Sequence, residues 1–140
     1  MAKSLFNNNN KQWQRSHIFT NCPFIKPAGP FRKKISLLVK KYFPKDEYDL
    51  KRQIKKSSRS IPANIAEGFG RYHYQENIQF CRQSRGSLSE TMEHVITAFD
   101  ENILSKEILK EVNKDYKTCL KELNGYIKYL KTAKEKGNNQ

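Results

Sequence analysis

Lys51, Arg52, Lys55, Lys56 and Arg59 are the residues whose types and spacing point most directly to chemistry. Advanced at about 100° per residue, the five fall on one arc of about 140°, opposite an apolar stripe of Leu50, Ile54, Ile61 and Ile65. No acidic residue interrupts positions 50 to 66. A solvated helix face usually alternates its charges, so this pattern suits contact with phosphates, where each neutralised phosphate releases condensed counterions. The charge is also localised. Residues 31 to 73 hold 12 Lys/Arg against 4 Asp/Glu, whereas residues 74 to 100 hold 2 against 4. Arg71, beyond the end of the same segment, joins the candidate set. Aromatic rings beside such a face could stack on unpaired bases. Tyr72 and Tyr74, in the turn after the segment, are the better candidates, because Tyr42 and Phe69 continue apolar stripes and read as core.

Other chemistry is poorly supported. Glu90 and His94 stand four residues apart, which allows an acid/base pair on one helix, but no hydrolase, Walker or zinc-protease signature accompanies them. The roles of nucleophile, base and oxyanion donor cannot be filled, and the chain is expected not to be an enzyme and to need no cofactor. Cys22, Cys81 and Cys119 form an odd count without CxxC spacing, which argues against a disulfide framework. His17 and Cys22 would make half a metal site with no second half, so no metal is expected. Cys81 and Cys119 fall in apolar stripes as small core residues.

The partner class follows from the balance of charge. The 140 residues include 27 Lys/Arg against 14 Asp/Glu, a formal charge of +13, which directs attention to an acidic partner. Mean hydropathy is −0.87, and the longest apolar run is Leu37-Leu38-Val39, far short of the roughly 20 residues of a spanning helix. No secretory apolar stretch follows the first lysine, so a cytoplasmic location without membrane contact is expected.

The elements that must position the cationic arc are helical. Residues 1 to 30, with four successive asparagines and three prolines, read as an irregular basic extension. Residues 31 to 136 form the domain, and 137 to 140 a tail. Ile35, Leu38, Val39 and Tyr42 mark a first helix over about 31 to 43, stopped at Phe43-Pro44. Asp46 is the expected cap of a second helix that closes at Gly68-Phe69-Gly70. A third stripe runs through Ile78, Cys81, Leu88, Met92, Val95 and Phe99. A fourth starts at an N-cap Ser105 and continues through Ile108, Val112, Tyr116, Cys119, Leu123, Ile127 and Leu130. Four such segments, short connections and no β alternation predict an all-α, up-and-down antiparallel four-helix bundle.

Two residues break helix rules. Pro62 removes a hydrogen bond to the Ser58 carbonyl, so a bend or restart is expected there. Gly86, with Ser84 and Ser87, makes a small-residue notch at which a neighbouring helix is expected to come close.

The run Ser60-Ile61-Pro62-Ala63-Asn64-Ile65-Ala66-Glu67-Gly68-Phe69-Gly70-Arg71, followed by Arg85-Gly86-Ser87-Leu88-Ser89-Glu90, resembles the bacterial four-helix-bundle proteins encoded in intervening sequences of 23S ribosomal RNA. Accessory proteins of diversity-generating retroelement reverse transcriptases are distant relatives of that family. The resemblance covers about Phe31 to Lys136. It implies an up-down bundle, usually a homopentamer with a basic surface, proposed to bind nucleic acid and without known enzymatic activity. Two departures stand out. The family's apolar, tryptophan-containing start of helix one is replaced by Phe24-Ile25-Lys26-Pro27-Ala28-Gly29-Pro30, and the small cap before helix three is His73. The combined expectation is a non-enzymatic oligomer that binds nucleic acid, RNA ahead of DNA, through a basic helix face. The alternative is a protein-interaction subunit, for example of a reverse transcriptase.

Overall fold

The computed structural model describes residues 27 to 71 and 73 to 138, Asn138 by its backbone alone. The expected extension, with His17 and Cys22, lies almost wholly outside the described residues, as does Tyr72. Four helices follow in order: α1 (Ala28–Tyr42), α2 (Tyr48–Gly70), α3 (Tyr74–Asp100) and α4 (Lys106–Asn138). No strand occurs among the described residues. Each helix packs on its chain neighbours, and α1 also meets α4, so α1 and α3 each lie between α2 and α4. This is the expected four-helix bundle. Its core is one cluster in which Ile35, Ile54, Ile61, Leu88, Val95 and Val112 are fully buried.

α1 starts three residues earlier than its apolar period suggests. Gly29 and Pro30 read as breakers, yet both stand in the first helical turn, where the backbone N–H that proline lacks has no intrahelical partner anyway. The first hydrogen bond runs from Phe31 N–H to the Pro27 carbonyl at 3.0 Å. Ala28 and Phe31 are both buried, so the bundle begins at Ala28 rather than 31. At the other end Phe43 turns extended ahead of Pro44, as the preference of a pre-proline residue requires.

The cap of α2 is Glu47, not Asp46: its carboxylate accepts the Leu50 N–H at 3.2 Å. Asp49 then accepts Arg52 at 2.9 Å and Gln53 at 3.0 Å. α2 passes through Pro62 without restarting. At that level Ser84 of α3, completely buried, donates its hydroxyl to the Ile61 carbonyl at 2.7 Å, tying the two helices together where the ladder is weakened. One turn of chain earlier on α2, Thr91 donates to the Ser57 hydroxyl at 2.8 Å.

The close approach between helices lies at Gly68 and not at Gly86. A Cβ on Gly68 would stand 2.8 Å from both Asn77 Oδ1 and Phe80 Cβ, while one on Gly86 would meet nothing within 4 Å. Gly86 is exposed; of the expected notch, Ser84 is the residue with a hydrogen bond across to α2 among the described residues. Gly68 and Gly70 do not end α2 by a left-handed cap either, since no glycine among the described residues has positive φ. Beneath Gly68, Asn77 donates to the Tyr126 hydroxyl at 3.1 Å, joining α3 to α4.

α3 is preceded by His73, which makes no side-chain cap, in line with the loss expected from its sequence. It ends in a Schellman turn: Asn102 has φ 61°, its N–H reaches the Phe99 carbonyl at 3.0 Å, and Ile103 N–H reaches Ala98 at 2.8 Å. Asparagine tolerates that left-handed conformation better than most residues. Ser105 caps α4 as expected, accepting Ile108 N–H at 3.3 Å. Along the α1–α4 seam Lys34 is 2.7 Å from Glu111 and also bonds Asp115. Burial alone would lower the Lys34 ammonium, but its hydrogen bonds to Asp115 and Glu111 outweigh that and hold its pKa above the ordinary lysine value.

Candidate nucleic-acid interface

α2 contributes its outer face to the site because its inner face is consumed by the core. Leu50, Ile54, Ser57, Ser58, Ile61, Ile65 and Gly68 are buried, which turns the opposite arc outward. Arg52, Lys56 and Arg59 are exposed, and Lys51 and Lys55 are half-exposed. All five line one shallow depression, closed by Ser60 and Ala63. Among the described residues only Arg52 has a carboxylate partner, Asp49, so four cations remain available to a ligand.

Tyr48 lines the same depression and is the residue that the sequence reading missed. Its side chain is 76% exposed, the most of any large hydrophobic residue described. At about 100° per residue it falls between Lys55 and Arg59, near the middle of the cationic arc. The signal was available in the same arithmetic, once the arc is extended one turn toward the N-terminus. Tyr42, expected in the core, is instead 39% exposed, with the Lys41 ammonium 5.1 Å from its ring centroid. Phe69 packs against the core as expected. Tyr74 is 47% exposed at the start of α3, away from the depression.

Arg71 does not join the five. It follows the end of α2, pairs with Glu67 at 2.8 Å, and holds its guanidinium 5.3 Å from the Phe80 ring centroid. About 12 residues of helix separate it from Arg59, roughly 18 Å along the axis. It contributes to the junction with α3 more than to the basic face.

Glu90, His94 and the two described cysteines make no catalytic assembly among the described residues. Glu90 Oε1 and His94 Nε2, the pair whose spacing allows acid/base work, are 3.5 Å apart, too long for a well-formed hydrogen bond. Cys81 and Cys119 are buried, and burial, then Asp115 and Glu122, push the Cys119 thiol up to about 12. That thiol donates to the Pro27 carbonyl at 3.3 Å, a packing role rather than a nucleophilic one. No described helix is long and apolar enough to cross a membrane.

The sequence profile of the 23S rRNA-intervening sequence protein family matches residues 20–125. The chain belongs to that family. Comparison with curated proteins returns no match. The family match of the intervening sequence proteins takes in all of α1 to α3 and α4 as far as Gly125, so the whole α2 face lies within it.

Proposed function

We propose that this intervening sequence protein is a non-enzymatic, oligomeric bundle that binds nucleic acid, RNA ahead of DNA, through the outer face of α2. The observation that carries the reading is the assembly of five cations around one exposed tyrosine in a single depression, four of the cations without a carboxylate partner among the described residues. Cations of this kind fix phosphates without reading sequence, and an exposed ring offers a base a platform that any base can use. Together they suit a single strand better than a duplex, whose bases are already stacked. The oligomer, with five subunits as the expected count, would repeat the face and convert modest single-site affinity into avidity.

A salt titration tests this reading. Affinity for RNA strands of unrelated sequence should fall with a log-log slope of about −0.7 per phosphate neutralised, alike for all sequences. In the same titration Tyr48→Ala should lower affinity by about 1–3 kcal/mol while leaving the slope unchanged, since a ring contacts no phosphate. Binding that ignores salt, or depends on one sequence, contradicts the proposed phosphate face.

A further inference from the structure

α4 segregates its charges in a way that its linear sequence conceals. Lys106, Lys110, Lys114, Lys117, Lys121 and Lys128 alternate in the chain with Glu107, Glu111, Asp115 and Glu122. On the helix between residues 106 and 128, at about 100° per residue, the six lysines gather on an arc of about 80° and the four acids on the adjacent arc of about 80°; past Lys128 the separation ends, with Glu135 on the lysine arc and Lys136 on the acidic one. All six lysines are exposed, and among the described residues none has a carboxylate partner. The acids lie on the side turned to α1, where Glu111 and Asp115 hold Lys34. The stripe is about 33 Å long at about 1.5 Å per residue. α3 adds Arg85 to it, which donates to Asn124 at 2.9 Å, and Asn124 falls on the lysine arc.

This surface is separate from the α2 face. α1 and α3 stand between the two helices. On the α1 side the acidic arc of α4 intervenes, and on the other side α3 carries more acids than bases. α1 itself carries Arg32, Lys33, Lys34, Lys40 and Lys41 and no acid, so the two faces are divided by the acidic arc of α4 on that side and by α3 on the other.

We propose that the lysine stripe of α4 is a second strand-binding surface, so that one subunit holds two nucleic-acid segments on opposite sides. It extends beyond the α2 reading and does not require it. Six evenly directed point charges without an aromatic residue among them suit a phosphate backbone, with no contribution from base stacking. At the duplex rise of about 3.4 Å per nucleotide, the stripe spans about 10 nucleotides of a stacked strand, and fewer of an extended one.

The test is a stoichiometric titration of the full chain with a single-stranded oligouridylate of about 10 nucleotides, matched to the stripe. Two oligonucleotides per subunit are expected for the unaltered protein. Changing Lys110, Lys114, Lys117 and Lys121 to Gln should reduce the ratio to one. Changing the same four to Arg should keep it at two, which separates lost charge from lost folding. The Lys55→Glu, Arg59→Glu variant should independently leave one oligonucleotide per subunit, on α4. A ratio unchanged by the four Gln substitutions overturns the second surface. If the Gln variant loses an oligonucleotide while the α2 variant loses none, the α4 surface stands and the α2 reading fails.

Discussion

Lys55→Glu combined with Arg59→Glu should lower affinity at the α2 face on the order of a hundred-fold and reduce its salt slope by about 1.4, the share of two phosphates. Two charge-assisted contacts are lost, and two carboxylates then face the phosphates. The bundle itself should be untouched. Arg59 is exposed, Lys55 is half-exposed, and neither has an ion-pair partner among the described residues whose loss would strand a charge. Circular dichroism and the melting temperature should therefore match the parent protein. RNA affinity measured in parallel across several sequences should fall by the same factor for each. An unchanged RNA affinity and unchanged number of strands bound, with loss of a protein partner in pull-down, would reassign the face to protein docking, of the kind an accessory subunit of a reverse transcriptase needs. Retention of both would mean that the cations are only a solvated surface.

Gly68→Ala should destabilise the fold by about 1–3 kcal/mol, although alanine is the better helix former. The added methyl group would sit 2.8 Å from Asn77 Oδ1 and from Phe80 Cβ, and 3.1 Å from the Asn77 carbonyl. Asn77 cannot easily yield, because its amide is engaged with the Tyr126 hydroxyl and its backbone is in α3. Gly86→Ala should do the opposite and stabilise by about 0.5–1 kcal/mol, since its Cβ would project into open space. Denaturant unfolding of the two variants side by side gives the comparison. Equal effects at the two glycines would contradict the packing described at the α2–α3 junction.

The two glycines illustrate what the sequence could and could not convey. Both lie inside helices, and local propensity treats them alike; only the distance to a neighbouring helix separates them, and that distance is a property of the packed bundle. The apolar period, by contrast, was legible along α2 to α4, where Ile54, Ile61, Ile65, Leu88, Val112 and Leu123 are buried as their spacing predicts, while Tyr42 at the end of the α1 stripe is exposed. Proline misled at the start of α1, because its effect depends on whether it falls in the first turn or later. The basic arc of α2 was legible because no acid interrupts it. The lysine stripe of α4 was not, because acids interleave with the lysines along the chain and separate from them only around the helix. Tyr48 escaped for a simpler reason: it lies at the boundary of α2, and element boundaries are where pattern reading is weakest.

The seam between α1 and α4 sets an order of events. Its side-chain contacts join residues 77 to 92 positions apart, Lys34 with Glu111 and Pro27 with Cys119. α2, α3 and α4, by contrast, pack more extensively on one another as consecutive neighbours than α1 packs on α2. Contacts between chain neighbours cost less loop entropy, so the last three helices can collapse together before α1 is captured. The same asymmetry operates in the native protein. α1 has 15 residues against 33 in α4, and it is the element expected to lift away first in local opening. Backbone amides of Ile35 and Val39 should exchange with solvent faster than those of Leu88 and Val95, although all four side chains are equally buried. Matching rates would indicate that the four helices open only as one unit. While α1 is detached, Phe31, Ile35 and Val39 face water, so the shortest helix also governs how often this bundle exposes its interior to other chains.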